Sequence, residues 1–218
     1  MFQVGKFSGN SYIRYPGLGD SALLWLSLEV KVKPEKEDGV LLYNADRYQA
    51  DTGDFLAVVL ADGYVEVVLE DGSGVLVCRG EERLELGVWH TVLVVREGGQ
   101  VSLTVDSQAP VITSQATHHP LSLQQSLWLG GLQDTISLPA SLAHLASRGL
   151  VGCVTDLTIN SLPVQLLYSA VATVNLDTCQ EIPEIVTRTV KKTLSDHTIP
   201  AFSGHSYLAF NSSDIYTK

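Results

Sequence analysis

Gly87-Val-Trp-His-Thr-Val-Leu-Val-Val-Arg96, then Glu-Gly-Gly-Gln100 and Val101-Ser-Leu-Thr-Val-Asp106, is the stretch whose reading decides the fold class. Val92, Val94 and Arg96 alternate with Thr91, Leu93 and Val95; Val101, Leu103 and Val105 alternate with Ser102 and Thr104. A period of two marks extended strands, and Gly98-Gly99 between them tolerate positive φ. Two such runs joined by a short glycine-containing loop predict a β-hairpin. The first run is apolar at nearly every position, which predicts a strand covered on both faces. The hairpin therefore belongs at the centre of a two-sheet sandwich, with Trp89 and Leu103 sharing one interior.

The same periodicity spreads outward. Leu24, Leu26, Leu28, Val30 and Val32 form one face of a strand, and Leu23, Trp25, Ser27, Glu29 and Lys31 the other. Val40-Leu-Leu-Tyr43 starts the next strand after a break at Pro34-Glu-Lys-Glu-Asp-Gly39. Asp54–Ala61 and Tyr64–Glu70 flank Asp62-Gly63, a strong hairpin signal. Asp71-Gly-Ser-Gly74 turns into Val75–Cys78, an apolar strand in which Cys78 reads as a small buried hydrophobe. Helical spacing is confined to Leu138–Ala146. Short strands between turns predict an all-β fold.

The 218 residues carry a formal charge of −10. Such a surface repels nucleic-acid backbones, and no apolar run reaches the length of a membrane span, so neither nucleic acid nor membrane insertion is expected. Of the scattered basic residues, Arg47 and Arg79 are the two expected near Asp54. Catalytic patterns are missing: there is no Gly-x-Ser-x-Gly elbow and no His-Glu-x-x-His. Glu66 and Glu70 share a strand face, but four residues at about 3.3 Å each separate them by roughly 13 Å. Glycosidase pairs stand about 5–9.5 Å apart, so both read as solvated outer-face residues. His118-His119 reads as a structural loop, and His90 as filling the sandwich edge.

Phe7-Ser-Gly-Asn-Ser-Tyr-Ile13 recurs as Phe202-Ser-Gly-His-Ser-Tyr-Leu208, with five of seven positions identical. Self-similarity at domain-length spacing predicts tandem modules. Residues 1–179 are expected to form one unit, 180–200 a linker and 201–218 the start of a second unit, cut short. Asn211-Ser-Ser213 fits the glycosylation pattern weakly.

Four pieces together resemble the laminin G-like module. They are Gly39-Val-Leu-Leu-Tyr43 with Gly53-Asp-Phe-Leu-Ala57, Gly87-Val-Trp-His-Thr-Val92, Leu127-Trp-Leu-Gly-Gly131, and Gly149-Leu-Val-Gly-Cys-Val154 through Asn160. The resemblance implies an all-β, two-sheet antiparallel jelly-roll sandwich, an extracellular setting, and a Cys153–Cys179 disulfide. It also implies binding rather than catalysis: a matrix glycan or cell-surface protein receptor held at a loop rim that often carries calcium. The alternative is a structural spacer packed against neighbouring modules. Asp54 is the expected first calcium carboxylate, with a carbonyl near Asp71. Ser122 or Gln124 stands where the family places an acidic or amide ligand. Asp46 and Asp51 are the acids able to compensate. One formal charge predicts millimolar calcium affinity at best.

Overall fold

The structure, a computed structural model, describes residues 4–47, 53–134, 136–145 and 149–179. The chain divides into two compact units, Met1–Glu181 and Ile182–Lys218, and the described residues all belong to the first. The expected linker 180–200, the segment 201–218, Asn211 and Asp51 lie outside the described residues.

In chain order the strands are β1 (Gly5–Ser8), β2 (Tyr12–Tyr15), β3 (Trp25–Pro34), β4 (Gly39–Ala45) and β5 (Phe55–Ala61). Next come β6 (Tyr64–Glu70), β7 (Leu76–Arg83), β8 (His90–Glu97), β9 (Gln100–Val105) and β10 (Val111–Ser114). The last are β11 (Leu127–Leu129), β12 (Val151–Ile159), β13 (Leu162–Pro163), β14 (Ala172–Val174) and β15 (Asp177–Thr178). One sheet runs β10-β9-β8-β3-β12-β1-β15 with β13 beside β12; the other runs β14-β2-β11-β4-β5-β6-β7. The strand pairings are antiparallel, and the two layers form a jelly-roll sandwich. A 3₁₀ segment over Ala140–Leu145 falls within the one stretch of helical spacing.

The β8–β9 hairpin forms with Glu97 opposite Gln100, and β3 lies along the other edge of β8 from Trp25–Glu97 to Val32–His90. Period-two burial follows: Leu26, Leu28, Val30 and Val32 of β3 meet Val92 and Val94 of β8 in the main core. Three expectations need correction. β8 is fully buried on one face only, with Thr91, Leu93 and Val95 half-buried between inward residues. Strands covered on both faces include β4 and β5, where every residue is buried, as it is in the short β11. Leu56, Val58 and Leu60 enter the main core, while Phe55, Ala57 and Val59 join Tyr43, Trp128 and Leu142 in a second cluster on the opposite face. Leu132, Ile136 and Leu138, from the segment after β11, pack over it.

Trp89 belongs to neither cluster. Strand parity sends His90 inward with Val92 and Val94, so its neighbour is only half-buried while Leu103 is in the core. His90 is held at both ring nitrogens, by Asp106 Oδ2 at 2.8 Å and the Glu85 carbonyl at 3.0 Å. Leu24, at 59% exposure, precedes the strand it was assigned to and stays outside.

The Gly-Gly of Leu127-Trp-Leu-Gly-Gly131 is required by a close crossing of chains. Gly130 has φ +79°, and a Cβ there would overlap the buried Phe7 ring of β1. A Cβ on Gly131 would stand 2.5 Å from the Ser11 carbonyl oxygen. Gly130→Ala is expected to lose more than about 2 kcal/mol in chemical denaturation, from strain plus overpacking. Gly74→Ala, also at positive φ but with open space around it, should lose clearly less.

Candidate binding rim

The turns at one end of the sandwich bring the acidic residues together. Asp54 immediately precedes β5 and Asp46 follows β4, and Asp46 N–H donates to the Asp54 carbonyl at 2.8 Å. Between Leu121 and Leu123, both wholly buried, Ser122 faces the opposite way, towards these two acids. Its N–H donates to Asp54 Oδ2 at 2.7 Å and its hydroxyl to Asp46 Oδ1 at 3.0 Å. Arg47 pairs with Asp46 Oδ2 at 3.3 Å and is largely exposed. Burial, then the carboxylates of Asp46, Asp71 and Glu70, raise the proton affinity of Asp54 above the ordinary carboxylate value, against the Ser122 N–H that lowers it.

Beside Asp54 a groove of about 540 Å³ opens, lined by Tyr43, Arg47, Phe55, Glu70 and Ser141 among others. Asn44, buried, holds the adjacent backbone: its amide donates to the Gln125 carbonyl at 2.6 Å and its Oδ1 accepts from Leu18 N–H at 3.0 Å.

The other expected rim residues stand apart. Gln124 turns its amide to Asp20 Oδ1 at 3.5 Å. The Asp71 carboxylate is wholly buried and paired with Arg96 at 3.1 Å, so it does not face the rim. Burial pushes Asp71 up, but hydrogen bonds from His119, Ser73 and Arg96 win and hold it below the usual carboxylate range. Asp46, named only as a compensating acid, is the residue that joins Asp54. Among the described residues no group of three or more His, Cys, Asp or Glu gathers to hold a metal.

The outer-face expectation changes at Glu66. Glu66 is buried, not solvated, because Arg79 covers it with an ion pair while stacking over the Tyr64 ring at 4.2 Å. Arg79 is thereby engaged at the level of Glu66, four residues along β6 from Glu70 and so roughly 13 Å from it. Glu70 accepts the N–H groups of Gly72 and Gly74, closing the turn before β7. Cys153 and Cys179 are joined by a disulfide with Cα atoms 6.1 Å apart, and Cys78 is a buried free thiol.

A family model described as Laminin G domain matches residues 32–165. Over 172 residues the chain is 32% identical to the mouse protein "Basement membrane-specific heparan sulfate proteoglycan core protein", covering 78% of this chain and 4% of that one. It is 29% identical over 161 residues to human pikachurin, covering 73% of this chain and 15% of the relative. The chain thus spans a small part of either. Domains LG4-5 of the mouse laminin alpha1 chain superpose with a TM-score of 0.69 at 20% identity, over 81% of this chain and 46% of that one. This likeness concerns the fold alone.

Proposed function

Because the chain belongs to the laminin G domain family, we propose that it is an adhesion module of the extracellular matrix or cell surface that binds a matrix glycan or protein receptor through the rim around Asp54. The observation that carries the reading is the convergence of Asp54, Asp46 and Ser122 beside an open groove. The 32% identity to a basement-membrane proteoglycan supports the setting. So does a structural disulfide, which persists in oxidising compartments. The work is binding rather than turnover: Glu66 is occupied by Arg79 and Glu70 by backbone N–H groups.

Calcium fits this rim weakly. Asp54, Asp46 and the Ser122 hydroxyl would supply oxygens, with backbone carbonyls and water completing the six to eight that calcium takes. When bound, the ion offers a ligand oxygen a positive anchor on an otherwise acidic surface. Two carboxylates, one of them shared with Arg47, place the affinity near 10⁻⁴–10⁻³ M, on the order of extracellular modules. Protons compete with the cation at Asp54. Its affinity for calcium therefore falls as pH is lowered through that group's raised pKa.

Calcium titration by calorimetry should give a weak isotherm that Asp54→Asn abolishes; a flat wild-type trace removes the metal from the mechanism. Glycan arrays and pull-downs from basement-membrane extract test the ligand separately, with and without chelator. Capture by the wild type but not by Asp54→Asn/Asp46→Asn is expected. No capture at all would favour the spacer alternative.

A further inference from the structure

Arg96 points inward from β8, in phase with Val92 and Val94, and is 1% exposed; its partner Asp71 is 2% exposed. Its Nη2 donates to Asp71 Oδ2 at 3.1 Å and to the His119 carbonyl at 2.8 Å. Its Nη1 donates to the carbonyls of Leu23 at 2.8 Å and Ala22 at 3.5 Å. Asp71 in turn accepts the N–H of His119 at Oδ2 (3.2 Å) and that of Ser73 at Oδ1 (3.1 Å). One ion pair therefore gathers three segments distant in sequence: the turn entering β3, the turn after β6, and the chain running into the rim.

The third of these is the segment that carries Ser122. Its hydrogen bonds form a short ladder. Both backbone groups of His119 are held by the ion pair, Leu121 N–H donates to the same Leu23 carbonyl that Arg96 holds (2.9 Å), and the Leu123 carbonyl accepts from Gly19 N–H (2.9 Å). Ser122 lies inside this ladder, with its N–H on Asp54. A buried ion pair is a poor device for stability alone, because desolvation offsets most of the attraction and apolar side chains of similar volume serve as well. What apolar side chains cannot do is fix the carbonyls of Ala22, Leu23 and His119. The Arg fork, with its several donors in one plane, can.

We propose that Arg96, with Asp71, is a positioning residue: the pair holds the 119–123 segment so that Ser122 stays against Asp54 and Asp46. The proposal rests on the rim reading for its functional sense, but its test needs no ligand. In the unmodified protein under mild denaturant, the amides of Ser73, His119, Leu121 and Ser122 are expected to exchange through one shared opening, distinct from that of β8 and β3. In Arg96→Lys, which keeps the charge but loses the fork, exchange at Leu121 and Ser122 should accelerate by about 10-fold or more while β8 amides stay protected. In Arg96→Met/Asp71→Leu, thermal stability should be largely retained and the same two amides deprotected.

Separate openings for these amides in the wild type would overturn the proposal. So would unchanged protection of Ser122 in a folded Arg96→Lys protein. If calcium, glycan and receptor binding all fail in the wild type while the exchange results hold, the rim reading falls and the positioning role stands.

Discussion

Arg96→Ala is expected to destabilise the module by about 3–5 kcal/mol in urea or guanidinium unfolding, with a fall in Tm of roughly 2–4 °C per kcal/mol. Truncation removes four guanidinium contacts at once and leaves the Asp71 carboxylate buried without its counter-charge. The pH dependence should weaken with it. In the wild type the pKa of Asp71 is lowered in the folded state. Its contribution is therefore present above the unfolded carboxylate value and is lost as pH falls through the folded one. Without Arg96 one of the interactions that lower that pKa is gone, while the hydrogen bonds from His119 and Ser73 remain, so the folded value moves up towards the ordinary one and acidification costs the variant less than the wild type. A variant whose stability deficit grows on acidification would contradict this assignment.

The second large effect belongs to the disulfide. Cys153 lies in β12, while Cys179 follows β15, and the bond encloses β13, β14 and β15. The cysteines are 26 positions apart, a loop of 27 residues counting both, for which chain-entropy reasoning gives about 3.5 kcal/mol. Cys153→Ser/Cys179→Ala should lose about that much, and reduction of the wild type should approach the same value. The loss should be felt first in β14 and β15, short edge strands pairing with β2 and β1. Buried Cys78 should resist alkylation until the core opens.

How far the sequence can be read depends on whether a feature is periodic. The alternation of Val92, Val94, Val101, Leu103 and Val105 foretold the β8–β9 hairpin, and Asp62-Gly63 foretold β5–β6. Trp89 is hydrophobic but out of phase with the core, and parity gives the inward position to its neighbour His90. Parity also held the signal for the clasp, since Arg96 shares a face with Val92 and Val94. Its buried partner Asp71 is 25 residues away in a turn, and no local pattern announces such a pair. The burial of Glu66 has no local signal either, because its cover is Arg79 from the adjacent strand. The unbroken apolar runs Val40–Tyr43 and Phe55–Ala61 were the better evidence for strands covered on both faces. The residues covering them, Leu132, Ile136, Leu138 and Leu142, come from a stretch without strand periodicity.

At the rim, the resemblance pointed to Asp54 and Ser122, which do meet. It also named Gln124, which turns to Asp20, and Asp71, whose carboxylate is withdrawn into the core. The acid that completes the rim, Asp46, is brought there by the antiparallel pairing of β4 with β5, Ala45 opposite Phe55.

The most direct test is a calcium titration followed by amide resonances in the oxidised module. Shifts confined to residues around Asp46, Asp54 and Ser122, saturating near millimolar calcium and absent in Asp54→Asn, are the expected result. Shifts centred elsewhere on the sandwich, or an unchanged response in Asp54→Asn, would contradict the rim as the working surface.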